Sequence, residues 1–302
     1  MTTHANGKIN IILRERNNDK INTIDSQNVM HHQKLQWIDE QLTNFIGLSH
    51  FKKIMKEIYA TKLMNERREQ MGLSVNNQVL HMIFKGNPGT GKTTFARELA
   101  TVFHQLNILS KGHFIEAERA DLVGEYIGQT AQKTRSLVQK ALGGILFIDE
   151  AYSLARGGHK DFGREAIDTL VKQMEDYSHD FILILAGYPT EMEHFLRMNP
   201  GLSSRFPFHI PFHDYNLDEL TEIAIQIATE KEYKLCENAI WKLRSHLREE
   251  TSEKKMHFAN GRYVRNIIER AIRMQAIRLL NYEHCTLQDL IEIKAEDLHF
   301  ET

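Results

Sequence analysis

Eight consecutive residues have the types and spacing to grip a polyphosphate: Gly86, Asn87, Pro88, Gly89, Thr90, Gly91, Lys92 and Thr93. They fit the pattern GxxxxGK[ST]. Its glycines let the backbone curl with N–H groups turned inward. A helix starting at Lys92 would add the positive end of its dipole. Lys92 has the charge to neutralise the β- and γ-phosphates, and Thr93 has the hydroxyl to ligate Mg²⁺. Thr94 follows at the same helix start and is grouped with the binding residues. The alternative is a plain glycine turn before a helix.

A second set is Ile145, Leu146, Phe147 and Ile148, followed by Asp149 and Glu150. Four apolar residues ending in two acids put both carboxylates at the C-terminal edge of a buried parallel strand. Ligands bind at that edge in open α/β sheets. Asp149 is suited to hold Mg²⁺ together with Thr93, and Glu150 to polarise a water against the γ-phosphate. The interval from Thr93 to Asp149 leaves room for one further strand and its helices.

These residues need a sheet to position them, and the pattern supplies one. Val79–Phe84, Phe114–Ala117, Ile145–Ile148, Phe181–Ala186 and Phe208–Phe212 read as strands. Helical spacing appears between them, from Lys92 and around Thr130–Leu142. Continuous apolar strands alternating with helices predict α/β architecture, a parallel sheet covered on both faces. Before the sheet, Trp37, Ile38, Leu42 and Phe45 share one helical stripe. A second helix is expected from an N-cap at Ser49 to a stop at Gly72. After Phe212 the strand signals stop. Asn216 and Glu219 resemble a capping box. Helices are then expected at Ala239–Leu247, Gly261–Leu280 and Leu287–Ile293. The predicted organisation is a polar arm over 1–34 with one short strand at Ile9–Leu13, an α/β unit over 35–212 and a small all-helical unit over 213–302.

Composition narrows the classes. A net charge of -2 over 302 residues supplies no global field for nucleic acid. The two cysteines, Cys236 and Cys285, form neither a CxxC metal pattern nor a disulfide framework, so a reducing cytoplasm is expected. No run of about 18 apolar residues is present. The first residues lack a charged-then-apolar leader. The adjacent His31 and His32 sit in a polar stretch and read as solvated rather than metal-binding.

With these motifs and the trailing helical unit, the chain resembles the AAA+ ATPases. Within them it is most similar to the red-type rubisco activase group and its branch in spore-forming bacteria. The residues that carry the likeness are Ala120–Thr130, Gly144–Leu154, Ile184–Tyr188, Asn199–Phe206 and Asn260–Asn266. The resemblance runs from about Leu42 to Leu298.

The resemblance implies ATP as nucleotide with Mg²⁺, a homo-oligomer in the form of a hexameric ring, and a role in spore formation. It also implies residue roles. Ile46 and Gly47 sit where the family packs backbone on adenine, with Ile46 as plain core the alternative. Arg205 sits where an arginine finger reaches a neighbouring subunit's γ-phosphate. A local acid partner is its alternative role, and Arg197 is the alternative finger. Arg262 occupies the second-sensor position, and Arg265 is one turn along the same face. The first sensor departs from the family pattern: Ala186, Gly187 and Tyr188 stand where a small polar residue is usual.

In the family, an aromatic on the loop at Tyr126, Ile127 and Gly128 faces the ring's channel and grips an extended polypeptide. The alternative is that Tyr126 and Ile127 fill the core. A second loop, 156–163, is a further channel candidate. The function expected is therefore an ATP-hydrolysing motor acting on an unidentified protein client. A nucleic-acid motor on the same core is the rival, and Glu116, Glu118, Asp121 and Glu125 beside the channel loop argue against it. A non-hydrolysing nucleotide switch is the third reading.

Overall fold

The computed structural model describes residues 33–41, 45–47, 49–75, 77–156, 162–252, 259–280, 282 and 284–300. The expected strand at Ile9–Leu13, most of the polar arm, and Leu42 lie outside that set, as does most of the loop 156–163 read as a further channel candidate. The side chain of Ser49, read as a cap, does too.

Helix α1 (33–41) and α2 (Ser49–Gln70) precede the sheet. Gly72 follows α2 with φ +73°, a left-handed stop that glycine adopts freely. The sheet region then runs β1 (Met82–Gly86), α3 (Lys92–Gln105), β2 (Phe114–Ala117), α4 (Arg119–Leu122), α5 (Gln129–Ala141) and β3 (Ile145–Ile148). It continues with α6 (Gly163–Asp176), β4 (Ile182–Gly187), α7 (Pro189–Met198), α8 (Pro200–Ser203) and β5 (Phe208–Phe212). All pairings are parallel, in the order β2-β3-β4-β1-β5.

Alternation along the strands feeds two cores. Met82, Phe84, Phe147 and Ile184 face one side with α2 and α3. Ile83, Leu146, Ile148 and Leu185 face the other with α5, α6 and α7. Burial on both faces explains the continuous apolar runs. Pro211 sits on β5, an edge strand, where a missing N–H costs least. The first strand begins three residues later than the pattern predicts. The ring of His81 takes the amide of Leu183 at 3.0 Å, in place of a backbone carbonyl. His81 is buried, and burial pushes its pKa down to about 4, so it accepts as neutral imidazole.

The C-terminal unit holds α9 (Leu217–Glu230), α10 (Glu237–Ser252), α11 (Asn260–Leu279) and α12 (Leu287–Ile291) around its own core. The box at its start is present: Glu219 N donates to Asn216 Oδ1 at 3.0 Å, and Asn216 N to Glu219 Oε2 at 2.8 Å. One expectation is corrected. The unit is not all helical, because β6 (Lys234–Leu235) and β7 (Glu292–Ile293) pair in parallel. The predicted last helix therefore ends at Ile291. Gln275 holds this corner by donating to the carbonyls of Asp289, Leu290 and Glu292, each at 3.0 Å.

Candidate nucleotide site

The site grows from the C-terminal ends of β1 and β3. Helix α3 is pinned by Phe95, whose ring meets Phe51 at 4.6 Å and Phe45 at 5.0 Å, both edge-on. Its first residue, Lys92, thereby stays fixed at the mouth of the sheet. Gly91 enters the helix at φ +87° and Gly89 turns at φ +71°, conformations that strain any side chain. Gly86 closes β1 against the neighbouring edge strand. A Cβ there would stand 2.5 Å from the carbonyl oxygen of Phe212.

One cleft of about 470 Å³ gathers Ile46, the loop from Pro88 to Thr94, Asp149, Glu150, Tyr188, Arg262 and Arg265. Residues far apart in sequence thus share one space. Lys92 is almost wholly buried, and its ammonium donates to the carbonyls of Gly86 and Asn87 at 2.8 Å each. Burial lowers its pKa to about 8. Asp149 and Asp214 oppose that shift, while Arg262 adds to it. An anion entering the cleft would favour the charged form.

Asp149 continues the β3 ladder by donating its N–H to the carbonyl of Ala117 at 3.1 Å. Glu150 then turns to φ +45°, unusual for a residue with a side chain. It lines the cleft and also a second opening of about 660 Å³, bordered by Glu118, Arg119, Glu125 and Lys133. Tyr188 leaves β4 at the start of α7. Its ring centroid is 6.0 Å from the Lys92 nitrogen and 5.8 Å from the Tyr152 ring. Burial first, then the charges of Glu150 and Asp149, raises the Tyr188 pKa. Its hydroxyl therefore keeps its proton at neutral pH and can donate.

Other candidates lie outside the cleft. Gly47 is exposed, with Tyr215 and Glu219 beside it. The Asn87 side chain points away to Asp214. Arg205 is bound within its own chain, to the Glu175 carboxylate and the Gly201 carbonyl. Arg197 is exposed at the end of α7. Tyr126 is 67 % and Ile127 90 % exposed, so neither fills the core. Gly128 turns at φ +85° into α5.

Sequence reasoning missed Tyr215. It lines the cleft, and its hydroxyl donates to the carbonyl of Thr90 at 3.0 Å. Burial pushes its pKa up to about 12. Nothing around Tyr215 in the sequence marks it, because the contact spans two units.

Chemically, the cleft offers a buried cation, a hydroxyl and a carboxylate for a metal, a second carboxylate for a water, and two arginines above. Among the described residues no cluster of three or more His, Cys, Asp or Glu side chains could hold a metal alone. A site of one carboxylate and one hydroxyl suits Mg²⁺, which keeps water and phosphate among its ligands. No described helix is long and apolar enough to cross a membrane.

Residues 82–214 match the family described as ATPase family associated with various cellular activities (AAA), and residues 216–302 match the AAA lid domain. Stage V sporulation protein K of Bacillus subtilis (strain 168) is 53% identical over 99% of this chain and 95% of its own length. The chloroplastic ribulose bisphosphate carboxylase/oxygenase activase of Cyanidioschyzon merolae is 41% identical over 86% of this chain and 87% of its own. In three dimensions, the Thermotoga maritima RuvB Holliday junction branch migration motor superposes with a TM-score of 0.53 at 19% identity, over 85% of this chain and 68% of that one. That likeness concerns the fold alone. With a parallel sheet, a phosphate loop and a lid, and relatives matched over nearly their full length, the chain belongs to the AAA family of ATPases.

Proposed function

We infer that this chain hydrolyses ATP with Mg²⁺ and works as a ring motor that remodels a protein client during spore formation. The observation that carries the reading is the convergence of Lys92, Thr93, Asp149, Glu150 and Arg262 on one cleft at the carboxyl ends of two parallel strands. In that reading the backbone of Gly86–Gly91 cradles the phosphates, and the ammonium of Lys92 exchanges a carbonyl partner for a phosphate oxygen. Thr93 and Asp149 would hold the metal. When bound, the ion neutralises charge on the phosphate oxygens. Glu150 accepts a proton from the attacking water as the bond from the γ-phosphorus to the bridging oxygen breaks. ADP and phosphate leave. Ile46 flanks the adenine, while Arg262, and Arg265 beside it, approach the phosphates from the lid.

Arg205 would serve the site of a neighbouring copy, which is why it need not face its own cleft. Its pairing with Glu175 is solvent-accessible and therefore weak, worth about 0–1 kcal/mol, so assembly can redirect it. Six copies is the family's number. Tyr126 and Ile127 then face the channel, since exposure on a glycine-flanked loop suits contact with an extended polypeptide. The spore role rests on the likeness to the Bacillus subtilis sporulation protein. A cytoplasmic location follows from the same reading.

The test uses Glu150→Gln, which removes the base and keeps Lys92 and Asp149. The variant is recovered from sporulating cells with ATP present, with and without nuclease, and its companions are identified by mass spectrometry. A protein enriched over a Lys92→Ala control and indifferent to nuclease supports remodelling. Recovery of DNA or RNA that nuclease abolishes supports a nucleic-acid motor instead.

A further inference from the structure

The lid helix α11 is joined to the phosphate loop by a set of polar contacts that the nucleotide chemistry does not call for. The amide of Gly261 donates to the carbonyl of Gly89 at 3.0 Å. Asn260, the first residue of α11, is completely buried at φ +45°. Its Nδ2 donates to Asp214 Oδ1 at 2.8 Å and to the Pro88 carbonyl at 3.3 Å, while its Oδ1 accepts from Tyr215 N at 3.0 Å. Asp214 accepts in turn from Asn87 Nδ2, at 3.0 Å to Oδ1 and 2.9 Å to Oδ2. One carboxylate therefore ties the loop, the segment after β5 and the lid together.

The fit is close. A Cβ on Gly89 would stand 2.0 Å from the Ala259 carbonyl oxygen and 2.9 Å from the Arg262 amide. No side chain fits there without moving backbone. The division of labour within the loop is also clear. A phosphate cradle uses N–H groups. The lid takes the carbonyls of Pro88, Gly89 and Thr90. A change in loop curvature on phosphate binding must then displace the acceptors that hold α11.

We propose that Asp214 and Asn260 are positioning residues: they clasp the lid to the carbonyl side of the phosphate loop and so set where Arg262 stands over the cleft. Arg262 lies two positions beyond Asn260, on the first turn of the helix that the clasp holds. The clasp also gives the lid a direct reading of the loop's conformation. This inference rests on the hydrolytic reading for its kinetic arm only.

The experiment compares Asp214→Ala, Asp214→Asn, Arg262→Ala and the Asp214→Ala/Arg262→Ala double variant in the full chain. Hydrogen exchange at the Gly261 amide is measured without nucleotide, and ATP turnover is measured separately. A carboxylate holding two amide donors is worth at least about tenfold in local opening. Asp214→Ala is therefore expected to speed Gly261 exchange by at least about tenfold, and Asp214→Asn, which keeps an acceptor oxygen for both amides, by much less. Turnover at saturating ATP should fall in Asp214→Ala, and the double variant should be no slower than Arg262→Ala. Unchanged exchange at Gly261 overturns the clasp. So does an additive loss in the double variant, because a general loosening of the lid would add where positioning of Arg262 would not. Should Asp214→Ala fail to fold, Asn87→Ala removes the loop side chain's two bonds to Asp214 and leaves Asn260 on it. Gly261 exchange alone is then read and should quicken by less than about tenfold; unchanged exchange there overturns the clasp's tie to the loop. A parent chain that turns over no ATP sinks the hydrolytic reading instead, and the exchange result still decides the clasp.

Discussion

The backbone amide of Glu150 donates to the carboxylate of its neighbour Asp149 at 2.9 Å, and the turn that makes this bond holds Glu150 at φ +45°. A left-handed conformation costs a residue with a side chain about 1–2 kcal/mol. The strain lies at the position where the proposed mechanism needs one acid to face a metal and the next a water.

Glu150 therefore yields two opposed predictions. Glu150→Gln keeps the shape and removes the base, so turnover should fall by about 10²–10⁴ while ATP still binds. Glu150→Gly removes the strain as well and should raise unfolding stability by roughly 1 kcal/mol with turnover lost. Denaturant midpoints beside turnover check both. A glycine variant less stable than the parent would remove strain from the account.

Lys92 makes a prediction in pH. Its pKa falls on folding, to about 8, because burial disfavours the ammonium. Its contribution to stability is thus unfavourable below about pH 8. That cost fades as pH rises toward the ordinary lysine value of 10.5, so stability should gain from this group across that window. Nucleotide phosphates restore the charged form, so ATP binding above pH 8 should take up a proton. Calorimetry in buffers of different ionisation enthalpy measures the uptake. It should vanish in Lys92→Met, and uptake that survives there would assign it to another group.

The parallel strands and the phosphate loop were legible because burial on both faces writes itself as unbroken apolar runs. Phe114–Ala117, Ile145–Ile148 and Phe208–Phe212 lie where the pattern put them. The first strand begins later than its apolar run because His81 substitutes a side chain for a ladder partner, a contact with Leu183 that spacing cannot reveal. The β6–β7 pair was invisible because each strand is two residues long and exists only through tertiary pairing. The clasp had the same fault. Asn87, Asp214 and Asn260 lie far apart in sequence, and each alone reads as an ordinary polar residue. Ile46, Tyr188 and Arg262 reached the cleft only through resemblance, since no local pattern distinguishes them from packing or solvated side chains.

Arg205 carries the prediction about assembly. In this chain it pairs with Glu175 and caps the Gly201 carbonyl. If it instead completes a neighbour's site, Arg205→Ala should lower turnover by about 10³-fold or more. Unfolding stability should move by no more than about 1 kcal/mol, as for an exposed ion pair. Turnover per chain should also rise with protein concentration. Mixing Arg205→Ala with Glu150→Gln is the sharper measurement. Each is inactive alone, but a mixed ring holds some sites with both groups intact, so activity should return on mixing. No recovery would confine Arg205 to its own chain.

Tyr126 carries the prediction about the client. Its ring is exposed on the loop between Gly124 and Gly128, and its backbone amide meets Gln129 at 3.4 Å, so removing the ring disturbs little packing. Tyr126→Ala should leave unfolding stability within about 0.5 kcal/mol, as surface substitutions usually do. ATP affinity should stay the same. What should fail is coupling: turnover that rises with the captured client in the parent chain should no longer respond in the variant. Tyr126→Phe separates the two parts of the grip, since it keeps the ring and loses the hydroxyl. A response in Phe but not Ala assigns the grip to nonpolar contact. A full response in Ala would place the client elsewhere on the protein.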